Sequence, residues 1–252
     1  LGIDGYSRPA EGFLSWQHLL FVGSLLALMF VLSIWLGKRN RSLTDKQKNR
    51  PLIYAAFLID GIELLKIVGF CYRDGSFEPI LRCLPLFLCS IQLITIPLAA
   101  FSKGRVKEAA LDFVCIFGIL GALLGTYGAA QNYGCYPVLS MDNVVSGITH
   151  CISGFCSLYI LISGMSSMAK RDLPVTFGIL GFFAVAAYIA NLFTNSNYMF
   201  LLRGDGTPYD ILYNLVGGHP VLYPIGVMAL FVVYILAFYQ IHWLCTRKKQ
   251  AV

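Results

Sequence analysis

Apolar runs of about 20 residues recur along this chain, separated by shorter polar stretches. A membrane-crossing helix needs about that many residues at 1.5 Å of rise each. Seven such runs predict helices over 15–36, 51–71, 80–101, 109–130, 144–165, 173–193 and 223–244. The expected fold class is all-α, a polytopic membrane protein whose seven-helix bundle forms a single transmembrane domain over 1–252. No polar segment is long enough for a second, water-soluble domain. Pro51 suits the first turn of its helix, where its missing N–H has no partner to lose. The first apolar run is long enough to span, so no cleavable signal is expected; the opening LGIDGYSRPA lacks Met, as a processed end or trimmed tag would. Composition agrees with this reading. The chain is 57% hydrophobic and 13% charged, where soluble domains carry about a quarter charged residues.

Charge then sets an orientation. The loop 37–50 holds six basic residues, 102–108 three, 166–172 two and the C-terminal tail three, so 14 of 19 fall on one side. Lys and Arg are retained in the cytoplasm. The N-terminus is therefore expected outside and the C-terminus inside, in a bacterial plasma membrane. The net charge of +6 is a topology signal with some affinity for anionic lipid. Without a soluble basic domain, nucleic acid is not an expected partner. On the outer side, the long connection 194–222 mixes aromatics with Gly, Asn and Pro, as a lid or binding element does. Its FLLRGDG stretch reads as a turn. No internal repeat supports an inverted-repeat transporter plan.

Polar groups inside the spans carry the candidate chemistry, because they are costly there. Asp60, Glu63 and Lys66 recur at three-residue steps on one broad helix face. In LPLFLCSIQL, Pro85 is expected to kink the helix by removing a backbone bond. Arg82 lies two turns before Cys89 and Gln92 one turn after it, on a shared helical face. Ser146, His150, Ser153, Gly154 and Ser157 form a stripe that small-residue helix packing explains equally well, except at His150. An imidazole there suits proton transfer. At 1.5 Å per residue Cys89 lies ~13 Å, Glu63 ~12 Å and His150 ~9 Å below the outer end. His18, Asn197 and Tyr198 approach the same level.

The eight cysteines show no metal-ligand spacing, so neither metal nor cofactor is expected. Cys71, Cys83 and Cys135 lie near the outer surface, where one disulfide among them is compatible with an oxidising side. Cys115, Cys151 and Cys156 read as small core residues. A buried thiol becomes a useful nucleophile only beside a base or cation; Cys89 has Arg82, Lys66 and His150 available.

Four stretches in order, GFLSWQHLL, IELLK with LPLFLCSI, SGITHCISG, and NSNYMFL with TPYDIL, carry a family likeness. On them the chain resembles YwaF-type bacterial integral membrane proteins, whose eukaryotic relatives include a transmembrane phospholipid acyltransferase. The likeness covers about residues 12–245. It implies Cys89 as the acyl-accepting nucleophile and His150 as its partner; His18, Glu63, Asn197 and Tyr198 match further motif positions. The chain departs from the pattern at Phe87, where a histidine often stands two residues before the cysteine. The expected function is a membrane-embedded lipid acyltransferase or transacylase working through a thioester. Gln92, Asn197 or Tyr198 would face the oxyanion, and Arg82 and Lys66 the lipid phosphate. Membrane lipids are the expected substrates, with room for a homodimer. The alternative is a non-enzymatic lipid or small-molecule binding protein, or a proton-coupled transporter using Asp60, Glu63, Lys66 and His150. Seven helices with the N-terminus outside also suit a receptor. The run 223–244 has no lysine for a retinal Schiff base, and helix number alone says little about function.

Overall fold

The computed structural model describes residues 9–250, and side chains only to residue 246. Arg8 and the side chains of Arg247, Lys248 and Lys249 lie outside the described residues. Helices account for the architecture, with no strand among the described residues. They are α1 (Trp16–Asn40), α2 (Asp45–Lys48), α3 (Arg50–Asp74), α4 (Glu78–Arg82), α5 (Gln92–Phe101), α6 (Gly104–Leu124), α7 (Ala130–Cys135), α8 (Met141–Ser163), α9 (Leu173–Thr194), α10 (Tyr209–Leu215) and α11 (Leu222–Gln250).

Local chemistry sets several ends. The Ser15 and Ser140 hydroxyls accept the N–H groups of His18 and Asn143, capping α1 and α8. Pro51 sits in the first turn of α3. Gly164 closes α8 in the left-handed region at φ 70°.

The helix expected over 80–101 is not continuous. It stops at Arg82, passes through irregular backbone, and resumes at Gln92. A residue before proline is steered out of the helical region, and Pro85 has no N–H to give. The Leu86 N–H folds back on the Leu84 carbonyl at 2.7 Å, and the Phe87 N–H is taken by Ser90 Oγ at 3.0 Å. Arg82, Cys89 and Gln92 therefore share no helical face. Irregular backbone at membrane depth persists only where protein or a water-filled cavity surrounds it.

Among the described residues, four segments are long and apolar enough to cross a membrane: Trp16–Asn40, Met141–Ser163, Lys170–Thr194 and Leu222–Thr246. The chain is thus an all-helical membrane protein with four such spans by length and composition, not the seven uninterrupted apolar spans expected. α3 has the length, with 25 residues, but carries Asp60, Glu63 and Lys66. α6 brings Arg105, Lys107, Glu108 and Asp112, and α5, with 10 residues, is too short alone.

α6 is the central post. Residues 109–118 are all buried, and the helix packs against α5, α8 and α9. Its one deeply buried carboxylate, Asp112, accepts from the Ser166 hydroxyl and, at 2.5 Å, from Tyr239 on α11. α6 and α8 approach closely: a Cβ on Gly118 would collide with the Ser153 carbonyl, and Ser157 Oγ donates to the Cys115 carbonyl at 2.6 Å. Gly154 and Ser157 therefore serve packing.

The two ends of the bundle differ. At one, the basic loops meet: Lys107 Nζ donates to Asn49 Oδ1 at 2.8 Å, and Arg105 to the Arg171 carbonyl at 2.9 Å. At the other, Arg73 faces Asp142 at 3.6 Å, and Gln131 Nε2 donates to the Asp205 carbonyl at 2.5 Å. The irregular segment after Arg82 hangs at this second end.

Candidate functional site

A cavity of about 450 Å³ opens at that end. α3 supplies Glu63 and Lys66 to its wall, the end of α4 Arg82, the irregular segment Phe87 and Cys89, α8 His150, and the loop after α9 Asn197. Stretches far apart in sequence thus put their polar residues in one chamber, inside a bundle whose outer faces are apolar.

The centre of the chamber is Cys89 and His150, whose thiol and imidazole lie within hydrogen-bonding reach of each other. The break at Leu84–Pro85 turns Cys89 toward α8. The thiol also meets the backbone N–H groups of Cys89 and Ser90. These two amides have no backbone carbonyl as partner, because they precede the first turn of α5 rather than belonging to it. His150 Nδ1 is 2.7 Å from the Ser146 carbonyl and 3.3 Å from the Ser146 hydroxyl. A carbonyl only accepts, so Nδ1 carries the hydrogen and Nε2 is left with a lone pair. That is the tautomer a general base needs.

Glycines of α6 make the room. A Cβ on Gly125 would overlap the His150 ring at Cδ2 and Nε2. One on Gly121 would lie 3.5 Å from Cys89 Cβ and 3.8 Å from His150 Cδ2. The spacing Gly118, Gly121, Gly125 puts a bare ridge on one face of α6 and its C-terminal cap, and Cys89 and His150 sit against the C-terminal end of that ridge.

The charged residues of the wall are already paired. Lys66 Nζ is 2.5 Å from Glu63, and Arg82 is 2.6 Å from Asp74. Beyond the apolar span, Arg73 and Arg82 beside Asp74 hold its carboxyl below the ordinary carboxylate range. Phe87 packs its ring against Tyr198 and Phe200 at 5.0 and 5.9 Å, giving the chamber an apolar side where the resemblance leads one to expect a histidine.

Three expected residues lie outside this chamber. His18 is buried at the start of α1: its Nδ1 accepts from the Leu14 N–H at 3.1 Å and its Nε2 donates to the Thr126 carbonyl at 3.2 Å. Its ring lies 3.9 Å from that of Tyr133. It ties α1 to the end of α6, one residue beyond Gly125. Gln92 is fully buried; its Oε1 accepts from Thr95 at 3.1 Å and its Nε2 has no partner among the described residues. Tyr198 is a clasp, with its hydroxyl donating to the Leu81 carbonyl at 2.5 Å and its N–H to Asn191 at 2.7 Å.

Asn197 lines the chamber but its polar atoms are engaged in the loop. Its Nδ2 donates to the Arg203 carbonyl and to Asp205, each at 2.7 Å, and its Oδ1 accepts from Leu202 at 3.0 Å. The RGD triplet is a turn: Arg203 pairs with Asp205 at 2.6 Å, and Asp205 has φ 53°. It closes the rim of the cavity. Gly121, Gly125 and Ser90 carry no signal that the sequence reading used; the three- and four-residue spacing of Gly118, Gly121 and Gly125 is one that could have found two of them.

Cys71, Cys83 and Cys135 are free thiols. No group of three metal-ligating side chains is assembled among the described residues. What the arrangement can do chemically is move a proton between sulfur and nitrogen beside two backbone amides that face the sulfur and give their hydrogens to no backbone carbonyl among the described residues. Comparison with curated proteins and with solved structures finds no match. A family model, the TMEM164 family, matches residues 13–245, so with its apolar helices and this cavity the chain belongs to that family of transmembrane proteins.

Proposed function

We propose that this protein is a lipid acyltransferase or transacylase, with Cys89 as nucleophile and His150 as base. The observation that supports it is the meeting of the thiol with an imidazole whose Nδ1 is held by the Ser146 carbonyl. The Cys89 proton passes to His150 Nε2 as sulfur attacks the carbonyl carbon of a lipid ester. The negative charge on the carbonyl oxygen is met by the Cys89 and Ser90 amides, while Gln92, buried outside the chamber, does not reach it. The intermediate collapses to a thioester, and the departing alkoxide takes the proton back from His150. An acceptor lipid hydroxyl then gives its proton to His150 and attacks the thioester, which restores the thiol. Lys66 and Arg82 face the phosphate, with Glu63 holding Lys66. Asn197 lines the wall, Tyr198 clasps the loop behind it to Leu81, and His18 braces α6. The resemblance to YwaF-type proteins and their acyltransferase relatives is a second support.

The proposed topology has seven crossings in a bacterial plasma membrane, the third broken after Arg82, with the N-terminus outside. The gathering of basic loops at one end supports it. The test of the chemistry is the intact mass of purified protein in lipid nanodiscs, given a phospholipid acyl donor. Wild type gains one acyl group, removable by hydroxylamine and located on Cys89. Cys89→Ala gains none, and His150→Ala gains it ~10²–10⁴ times more slowly, the ordinary worth of a general base. Unchanged labelling in both variants ends this reading.

The Glu63–Lys66 pair in the cavity wall favours a second reading, a non-enzymatic binding protein or proton-coupled transporter. Ligand binding or flux that persists undiminished in Cys89→Ala, with no acyl adduct in wild type, is its signature.

A further inference from the structure

A second cavity lies elsewhere and has a different character. α1 and α3 both pack on α8, leaving between them a groove of about 520 Å³. Its banks are Leu32 and Leu36 on α1 and Tyr54 and Leu58 on α3, and Ile152 of α8 is its floor. Ile152 follows His150 by two residues, which turns it to the far side of α8. The groove and the Cys89 chamber are therefore separate. α1 is among the helices apolar enough to span, with mean hydropathy 2.5, so the groove opens to the hydrocarbon of the bilayer.

One end of the groove carries charge from both banks. Arg39 follows Leu36 by three residues and continues its ridge; Arg50 precedes Tyr54 by four and continues the other. Both are exposed. Among the described residues neither guanidinium has a hydrogen-bond or ion-pair partner, and Arg39 only lies over the Trp35 ring at 5.6 Å. The stretch between them adds Arg41, Lys46 and Lys48 against the single acid Asp45, and Lys38 stands just before Arg39. An apolar trough that ends between two unpaired guanidiniums matches a lipid with a hydrocarbon tail and a negatively charged head. The guanidinium fork suits phosphate oxygens.

We propose that an anionic phospholipid binds here, one acyl chain in the α1–α3 groove and its phosphate between Arg39 and Arg50, apart from the Cys89 chamber. The test is native mass spectrometry of detergent-purified Cys89→Ala protein, in which no turnover can consume the lipid. Phosphatidylglycerol and phosphatidylcholine of the same acyl chains are compared. Phosphatidylglycerol is expected to be retained one to one and preferred. The double variant Arg39→Gln/Arg50→Gln lowers its retention about thirtyfold, the equivalent of about 1 kcal/mol per basic side chain at an anionic headgroup. Leu32→Trp, which fills the groove, lowers retention of both lipids. Glycerol 3-phosphate, a headgroup without chains, does not displace the bound lipid. Both arginines are exposed, so their removal leaves the fold intact and decides the matter even where Leu32→Trp fails to fold. Equal retention of the two lipids, undiminished retention in the double variant, displacement by glycerol 3-phosphate, or a lipid-free mass of two copies would each overturn it.

Discussion

At the scale of single residues, the meeting of Cys89 with His150 depends on what is missing along α6 and at its C-terminal cap. Gly125 leaves the space in which the His150 ring lies against the helix, and any Cβ there overlaps the imidazole. Gly125→Ala is therefore expected to force the ring off its Ser146 carbonyl, with two consequences. Overpacking a fixed helix contact costs about 1–3 kcal/mol of stability, read as a lower midpoint of thermal unfolding in detergent. Acylation of Cys89 falls toward the level of His150→Ala, because the base no longer faces the sulfur. Gly178→Ala, where an added Cβ meets nothing within 4 Å, is the control and leaves both quantities unchanged. If Gly125→Ala acylated at the wild-type rate, His150 would not act from the position described.

At the scale of elements, the decisive feature is a helix that fails to form. Residues 80–101 have the composition of a span, and the periodicity of LPLFLCSIQL gave no sign that nine residues would leave the helix. The proline was visible, and a kink was expected of it. Its full effect was not, because a kink or a complete break follows from whether tertiary partners take up the freed backbone groups. Here Ser90 takes the Phe87 N–H and the chamber receives the rest. The helical-face argument linking Arg82, Cys89 and Gln92 therefore fails, although Arg82 and Cys89 still reach one cavity. By contrast α8 runs unbroken; the sequence set only His150 apart from its stripe, and the structure divides the rest, with His150 and Ser153 on the chamber and Gly154 and Ser157 on the packing seam. Side-chain satisfaction within the outer loop, as at Asn197 and Tyr198, depends on turns that sequence spacing does not encode. Pro85→Ala tests the break. Without the ring, Leu84 regains the helical region and α4 is expected to wind on toward Cys89. A displacement of about 1 Å at a reacting atom costs on the order of 10² in rate, so thioester formation should fall by about that factor while the thermal midpoint holds or rises. Acylation at the wild-type rate would mean that the break is not what positions Cys89.

At the scale of the molecule, charge and polarity are segregated along the bundle axis. The six basic residues of loop 37–50 gather at one end, together with Lys107, Arg105 and Lys170. The chamber opens at the other, roofed by the loop after α9. Positive charge resists translocation, so the proposed topology puts the basic end in the cytoplasm and the chamber in the outer leaflet. Two native cysteines report on this without any engineered label. Cys135, at the end of α7 near the chamber, and Cys245, near the end of α11 beside the basic loops, are both exposed free thiols. A membrane-impermeant maleimide applied to intact cells is expected to modify Cys135 and spare Cys245. Permeabilisation should then expose Cys245 to the same reagent, with Cys135→Ser and Cys245→Ser each removing its own signal. The reverse pattern would put the chamber in the inner leaflet, and with it the lipids that the Cys89 thiol meets. Labelling of both thiols in intact cells would put both ends outside and remove the odd number of crossings.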